Sequence, residues 1–183
     1  MENITGIIIA FISGVFGPIS VMYTKHLLEK RKPKPDMVTE ALRVGELVTS
    51  KIDHIREEFN ADRVWITQFH NGGHFLHSNK SMQKFSVVYE VDAAGVLPVS
   101  TVFTNIPISL YSKCFSEILS TRFIGISDYE DETVATYGLK PGAEATGAKA
   151  TYIVGLFDFG TGKLMGSVGI DFLEHQLTIC LIL

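Results

Sequence analysis

Three histidines lie close together in the middle of the chain, and imidazole is the side chain best suited to metal binding and to proton transfer near neutral pH. His70, His74 and His77 follow the pattern H-x-x-x-H-x-x-H around the turn Asn71-Gly72-Gly73. A folded-back turn would bring these imidazoles to a zinc ion, but the segment lacks the cysteine or acidic ligand of most zinc sites. The spacing therefore favours a polar pocket rim or an exposed loop, with a metal site as the alternative.

Two further motifs have structural explanations and do not indicate a catalytic or binding site. The run Gly160-Thr161-Gly162-Lys163 resembles part of a phosphate-binding loop, but that motif needs a glycine where this chain has Phe157. A hairpin turn accounts for its glycines. The acidic run from Asp128 to Glu132 is typical of a solvated face. No pattern combines a nucleophile with a base and an orienting acid, so the sequence predicts a protein that is not an enzyme and needs no cofactor.

The N-terminal residues are the most apolar of the chain. Residues 3–24 hold no ionisable side chain apart from Tyr23, and a helix of roughly 20 such residues crosses a bilayer. Residues 25–35 are basic and contain two prolines. We therefore predict a transmembrane anchor at 1–24, a linker at 25–35 and a single domain at 36–183. Because cations favour the cytoplasmic side, this domain is expected in the cytoplasm, on a single-pass inner-membrane protein.

Small residues recur on one face of the predicted anchor. Gly6, Ala10 and Gly14 are each four positions apart, a spacing that lets two membrane helices approach closely. The alternative is that glycine is simply common in membrane helices. The pattern predicts a homodimer with these residues at its interface.

Charge is divided unevenly along the chain. Five basic and two acidic side chains give residues 1–35 a formal charge of +3. The whole chain carries −4, so residues 36–183 carry −7. The basic part suits anionic lipid headgroups, and the acidic domain argues against nucleic acid as a partner. Cys114 and Cys180 have neither disulfide-scaffold nor zinc spacing.

The order of the predicted elements indicates an α+β fold with helices packed outside an antiparallel sheet. An apolar residue at every third or fourth position from Met37 to Phe59 predicts a long helix with Asp36 as its N-cap. Alternating β-branched and aromatic residues predict the strands. Strands are expected at 63–70, 85–91, 99–104, 123–126, 151–157 and 164–172, with further helices at 106–119 and 174–183.

Three stretches carry a resemblance to GAF-type domains, the sheet-based sensory fold related to PAS domains. They are NADRVWITQFHNGG, NIPISLYSKCFSEIL and KATYIVGLFDFGTGKLMGSVGIDF, and the resemblance spans about residues 36–180. It implies a small-molecule site between the sheet and the loops that cover it, bordered by the loop 128–147. The site residues that it implies are His70, Asn71, His74, Phe75 and Tyr89.

The resemblance implies a module that senses a small molecule or docks a protein, here at the cytoplasmic face of the membrane. No cysteine matches a position for bilin attachment, so it does not imply a chromophore. In layout the chain also resembles the holins of T-even-type phages, which permeabilise the inner membrane and place their domain in the periplasm. A virion or assembly component that uses the domain for packing is the third hypothesis.

Overall fold

A computed structural model describes residues 36–74 and 81–173. The chain divides into two compact units at residues 1–43 and 44–183, and the sheet belongs wholly to the second. The predicted anchor, linker and small-residue interface, Phe75 and the predicted final helix lie outside the described residues. Within the described ranges, no helix is long and apolar enough to cross a membrane.

The described residues form three α-helices, six strands and two short 3-10 helices. The helices are α1 (Met37–Glu58), α2 (Ser112–Thr121) and α3 (Lys140–Thr146), with 3-10 helices at Val99–Thr101 and Ile108–Tyr111. The strands are β1 (Arg63–His74), β2 (Ser81–Asp92), β3 (Ile106–Pro107), β4 (Phe123–Ile126), β5 (Ala150–Phe157) and β6 (Leu164–Phe172).

The six strands form one antiparallel sheet in the order β3-β2-β1-β6-β5-β4. The first strand lies in the middle, between β2 and β6. Arg63 therefore pairs with Asp92 on one side and with Asp171 on the other. The α+β class and the antiparallel sheet with flanking helices are confirmed.

Each face of the sheet has its own apolar core, as expected when side chains alternate between the faces. On one face, Trp65, Phe85 and Ile153 pack beneath α2 and the segments that follow β2 and β4. On the other face, Val64 and Phe172 pack with Ile52 of α1. We call these the cavity face and the α1 face.

The helix α1 begins as predicted. The carboxylate of Asp36 accepts hydrogen bonds from the Val38 amide at 3.2 Å and from the Thr39 hydroxyl at 2.7 Å, which is the role of an N-cap. The predicted apolar stripe is buried only in the second half of the helix, where Ile52 is 2% exposed. Met37 at the other end is 86% exposed, so the stripe packs on its own domain over half its length.

Two predictions about the segment after β2 are wrong. Residues 99–104 begin as a 3-10 helix and not as a strand, because the Glu90 carboxylate accepts hydrogen bonds from the amides of Val99 and Ser100 and curls the chain there. The helix predicted from residue 106 starts at Ile108 as a 3-10 helix and continues from Ser112 as α2, since Ile106 and Pro107 form a short strand with β2.

The glycine turn was predicted to end the first strand at residue 70, but β1 runs on to His74. Its pairing with β2 becomes irregular between Asn71 and His74. Gly72 leaves room for the Lys84 side chain of the paired strand, since a Cβ at position 72 would lie 2.2 Å from it and that side chain would have to move. The small residue therefore serves a close cross-strand approach instead of a turn.

The contact between Gly169 and Trp65 gives a first test of the fold. A Cβ at position 169 would lie 2.0 Å from Cζ2 of the indole. We expect Gly169→Ala to lower the free energy of unfolding by about 1–3 kcal/mol, since overpacking forces the ring or the backbone to move. Urea unfolding measures this. Gly160→Ala is the control, because its Cβ would meet nothing closer than 3.7 Å. Equal losses in the two variants would contradict this packing.

Candidate functional site

A cavity of about 40 Å³ lies on the cavity face, between the sheet and the segments that cover it. The space is enough for one or two water molecules. Its lining combines an apolar wall with a polar end. The apolar wall consists of Trp65, Phe85, Val87, Val99, Phe103, Tyr111, Cys114, Phe115, Leu139, Gly142, Ala143, Ala148 and Ile153, and the polar end of Thr67, Tyr129, Thr146, Thr151, Ser167 and Asp171.

Aromatic rings make up much of the apolar wall. Phe85 is their centre, with Phe115 edge-on at 5.2 Å, Tyr111 edge-on at 5.6 Å and Phe103 stacked at 6.0 Å between ring centroids. Edge-on and offset contacts of this kind stabilise aromatic pairs beyond the area they bury. These rings present flat apolar surfaces to the cavity.

Two hydroxyl groups lie side by side on the floor of the cavity. The Oγ1 of Thr67 and the Oγ of Ser167 are 2.7 Å apart, on the adjacent strands β1 and β6. The Thr67 Oγ1 also accepts a hydrogen bond from the Ser167 amide at 3.0 Å. Each hydroxyl can donate one bond and accept two, so the pair keeps capacity for a polar group of a ligand.

A buried ion pair forms the polar end of the cavity. Arg63 has no exposed surface and Asp171 is 3% exposed. The Oδ2 of Asp171 accepts hydrogen bonds from Arg63 Nε at 2.8 Å and Trp65 Nε1 at 2.9 Å, and its Oδ1 accepts one from Thr151 Oγ1 at 2.8 Å. A carboxylate surrounded by donors is matched in its ionised form, which is what a buried charge requires.

The same arginine ties the covering segments to the sheet. Its Nη1 donates to the carbonyl oxygen of Leu97, in the segment after β2, and its Nη2 donates to Oγ1 of Thr146 in α3 at 3.2 Å. One guanidinium therefore fixes two parts of the cavity roof. Any ligand that enlarges the cavity must work against these bonds.

Burial shifts the acid–base behaviour of the lining groups. It raises the pKa of the Cys114 thiol to about 12, so this thiol stays protonated and unreactive at neutral pH. It also raises the pKa of Tyr129, although a hydrogen bond to Thr151 opposes that rise. Complete burial raises the pKa of Asp171 as well, opposed by the Arg63 guanidinium and by donors from Thr151 and Trp65.

Three of the residues predicted from the resemblance, His70, Asn71 and Tyr89, lie away from this cavity. His70 Nε2 is 2.9 Å from the Ser86 hydroxyl, and the Asn71 side chain accepts a hydrogen bond from Gln83 at 2.9 Å. Tyr89 lies on the α1 face, with its ring near Gly45. The side chain of His74 lies outside the described part of the chain. None of these three placed residues lines the cavity, and their role in ligand binding stays a prediction.

The loop 128–147 does border the cavity, through Tyr129, Leu139 and Thr146. The residues missed from the sequence are Arg63 and Asp171. A signal was present, because Arg63 directly precedes the apolar run 64–66 and Asp171 lies between Ile170 and Phe172, where a charge is buried only when it is paired. Across the described ranges, no group of three or more histidine, cysteine or acidic side chains could hold a metal ion.

No family model matches the sequence, and no curated protein is significantly similar to it. Solved structures do resemble it. The GAF domain of PixJ from Thermosynechococcus elongatus, in its blue-light absorbing form, is 15% identical, with a TM-score of 0.56 over 79% of this chain and 77% of that one. A phycocyanobilin-bound GAF domain from a cyanobacterial phytochrome is 16% identical, with a TM-score of 0.53 over 77% and 76%. A far-red cyanobacteriochrome is 11% identical, with a TM-score of 0.54 over 87% and 86%. The chain therefore has a GAF-like fold.

The ion pair yields a prediction about stability. Arg63→Met keeps most of the side-chain volume but leaves Asp171 buried without its cation, so we expect a loss of about 3–5 kcal/mol in the free energy of unfolding. The double variant Arg63→Met/Asp171→Asn should recover part of this loss, because it removes the uncompensated charge. Urea unfolding measures both.

Arg43→Met serves as the control for this test. Arg43 makes an exposed ion pair with Glu40 on α1, so its loss should change the free energy by no more than about 0.5 kcal/mol. A single Arg63 variant as stable as this control would contradict the central role of the pair.

Proposed function

We propose that this chain is a non-catalytic sensory module that binds a small molecule in the cavity between its sheet and its covering segments. The observation that carries the proposal is the cavity itself, where aromatic surface meets a small number of convergent polar groups. This combination is typical of small-molecule sites. The GAF-like fold supports the proposal, since its solved neighbours include a phycocyanobilin-bound domain.

The lining favours a small planar molecule with one polar group. Phe85, Phe103 and Phe115 supply the flat apolar contacts, and the hydroxyl pair of Thr67 and Ser167 supplies the hydrogen bonds. A ligand larger than a few atoms needs the covering segments to move outward, because the space is about 40 Å³. Binding would then change the contacts of these segments, and that movement is the signal that such a module transmits.

A linear tetrapyrrole does not fit this cavity. Drug-sized ligands occupy roughly 300–1,000 Å³, several times the space found here. Cys114, the cysteine that lines the cavity, is 2% exposed and its thiol is held protonated by burial. The bilin of the solved neighbours is therefore not carried over to this chain.

The single tryptophan of the chain provides the experiment. Trp65 lines the cavity and donates to Asp171, so its fluorescence responds to occupancy. We expect planar fragments with one polar group, such as phenol or benzamide, to change its emission. Thr67→Val should weaken the response about tenfold, since it removes one hydrogen bond of roughly 1.4 kcal/mol at nearly constant shape.

His70→Ala is the matched variant, because it tests the turn that the sequence predicted as the site. The cavity proposal expects it to bind like the unmodified protein. If His70→Ala abolishes the response and Thr67→Val does not, the site lies at the end of β1 and not in the cavity. If no fragment of a panel changes the Trp65 emission or the melting temperature of the protein, the proposal of small-molecule sensing is refuted.

A docking role is the second candidate, and exposed apolar side chains at the start of α1 favour it. Met37, Val38 and Leu42 are 86%, 65% and 64% exposed, which is unusual for large apolar residues on one helix. Such a surface suits helix–helix contact between two copies of the chain.

Membrane attachment through residues 1–24, and self-association through Gly6, Ala10 and Gly14, remain predictions. So does the holin-type alternative, which depends on the topology of the same residues, and so does the virion or assembly hypothesis.

Substitution of Leu42 tests self-association. We expect Leu42→Lys to weaken a dimer of the full-length protein in mild detergent by at least about tenfold, because it places a charge in an apolar contact. Sedimentation velocity measures the monomer fraction. Glu40→Gln, on the same turn of the helix, should leave it unchanged. A monomeric unmodified protein, or equal effects of the two variants, would argue against docking through α1.

A further inference from the structure

The cavity face carries more negative than positive charge beside the ion pair. In the sheet register, Arg63 lies opposite Asp92 of β2 as well as Asp171 of β6, and Trp65 lies opposite Glu90. Because alternate residues point to the same side, Glu90, Asp92 and Asp171 all lie on the side of Arg63. Three carboxyl groups thus lie near a single guanidinium, that of Arg63.

That guanidinium is committed to Asp171. Arg63 Nη2 is 2.7 Å from Asp171 Oδ2, whereas the nearest approach of Arg63 to Glu90 is 3.9 Å. The Oδ1 of Asp92 is buried and has no hydrogen-bond partner among the described residues. Glu90 is two residues away on the same face of β2, so the carboxyl groups of Glu90 and Asp92 are neighbours, and a proton on Asp92 relieves the repulsion between their charges.

The surroundings of Asp92 set the pH at which this proton is lost. Partial burial is the largest effect, and the charge of Glu90 on the same strand adds to it, as does the more distant Asp171 on β6. Arg63 on β1 acts in the opposite direction. Together they raise the pKa of Asp92 to about 6, so the group changes charge near neutral pH.

The neighbour of Asp92 also holds part of the cavity roof. The Glu90 carboxylate accepts hydrogen bonds from the amides of Val99 and Ser100, the second at 3.0 Å. We call residues 97–103 the cover segment. It places the buried side chains of Val99 and Phe103 in the cavity wall. Glu90 therefore binds two amides of the cover segment and has the Asp92 carboxyl as its neighbour on the same face of β2.

We propose that the Glu90–Asp92 pair is a proton-controlled latch on the cover segment and so regulates access to the cavity. While Asp92 is protonated, Glu90 stays beside its two amide donors and the roof is closed. Loss of the proton sets two negative charges side by side, and Glu90 moves away from Asp92 and loosens its amides. This regulation rests on the proposed ligand site, but the latch itself can be measured without a ligand.

Amide hydrogen exchange of the full-length protein, followed by NMR, tests the latch directly. After correction for the intrinsic pH dependence, protection of the Val99 and Ser100 amides should fall about tenfold as the pH rises through about 6. Asp92→Asn should make protection independent of pH, because an amide has no proton to lose. The Gly155 amide, bonded to the Arg122 carbonyl oxygen at 2.9 Å, is the internal reference.

The free energy of unfolding should fall with rising pH, in the same direction as the protection of the two amides. The folded protein holds the Asp92 proton up to about pH 6, whereas the unfolded chain loses it near pH 3.8, so protonation favours the folded state. Stability from this group is therefore lost as the pH rises through about 6. Asp92→Asn should raise the melting temperature at pH above 7, and the exposed control Asp131→Asn should not.

The results separate the latch from the ligand site. If Asp92 only turns into solvent when it ionises, protection of Val99 and Ser100 will not depend on pH, and the latch is refuted. If protection follows the expected course and fragment entry, measured by stopped-flow Trp65 fluorescence, accelerates above pH 6 only with Asp92 present, the regulation is supported. A working latch with no fragment bound under any condition would count against the ligand site and not against the latch.

Discussion

The bond between Arg63 and Asp171 is the interaction on which the rest of this domain depends. A guanidinium on a central strand is costly to bury, and this one is tolerated because Asp171 pairs with it and two neighbouring oxygens accept further hydrogen bonds from it. Those oxygens belong to the segment after β2 and to α3, so satisfying the charge also positions the cavity roof. The requirement that a buried charge be compensated thus sets the tertiary arrangement of elements that are far apart in sequence.

The architecture could be predicted because each element carries a local signal. The period of α1, the alternation in β5 and β6 and the glycine turn between them each depend on neighbours in the chain. The errors arose where a distant group decides the conformation. Val99 has the composition of a strand residue, but Glu90 from β2 captures its amide. Gly72 has the composition of a turn, but Lys84 passes across it in the paired strand.

The candidate site was less predictable than the fold for the same reason. His70 and Asn71 attract notice as polar residues beside glycines, yet they bond to their neighbours in the hairpin. Arg63 and Asp171 lie more than a hundred positions apart in sequence, and only the register of β1 against β6 brings them together. Chemistry that depends on strand pairing cannot be found from the spacing of residues along the chain.

The strand order also affects how readily copies of the domain associate through the edges of their sheets. The sheet places its shortest strands, β3 with two residues and β4 with four, at its edges, and its longest strands, with eight to twelve residues, inside. An edge strand offers unpaired amides and carbonyls on which another molecule can extend the sheet, and a short edge offers few. The short edges of the described sheet therefore disfavour its extension by a second copy of the domain.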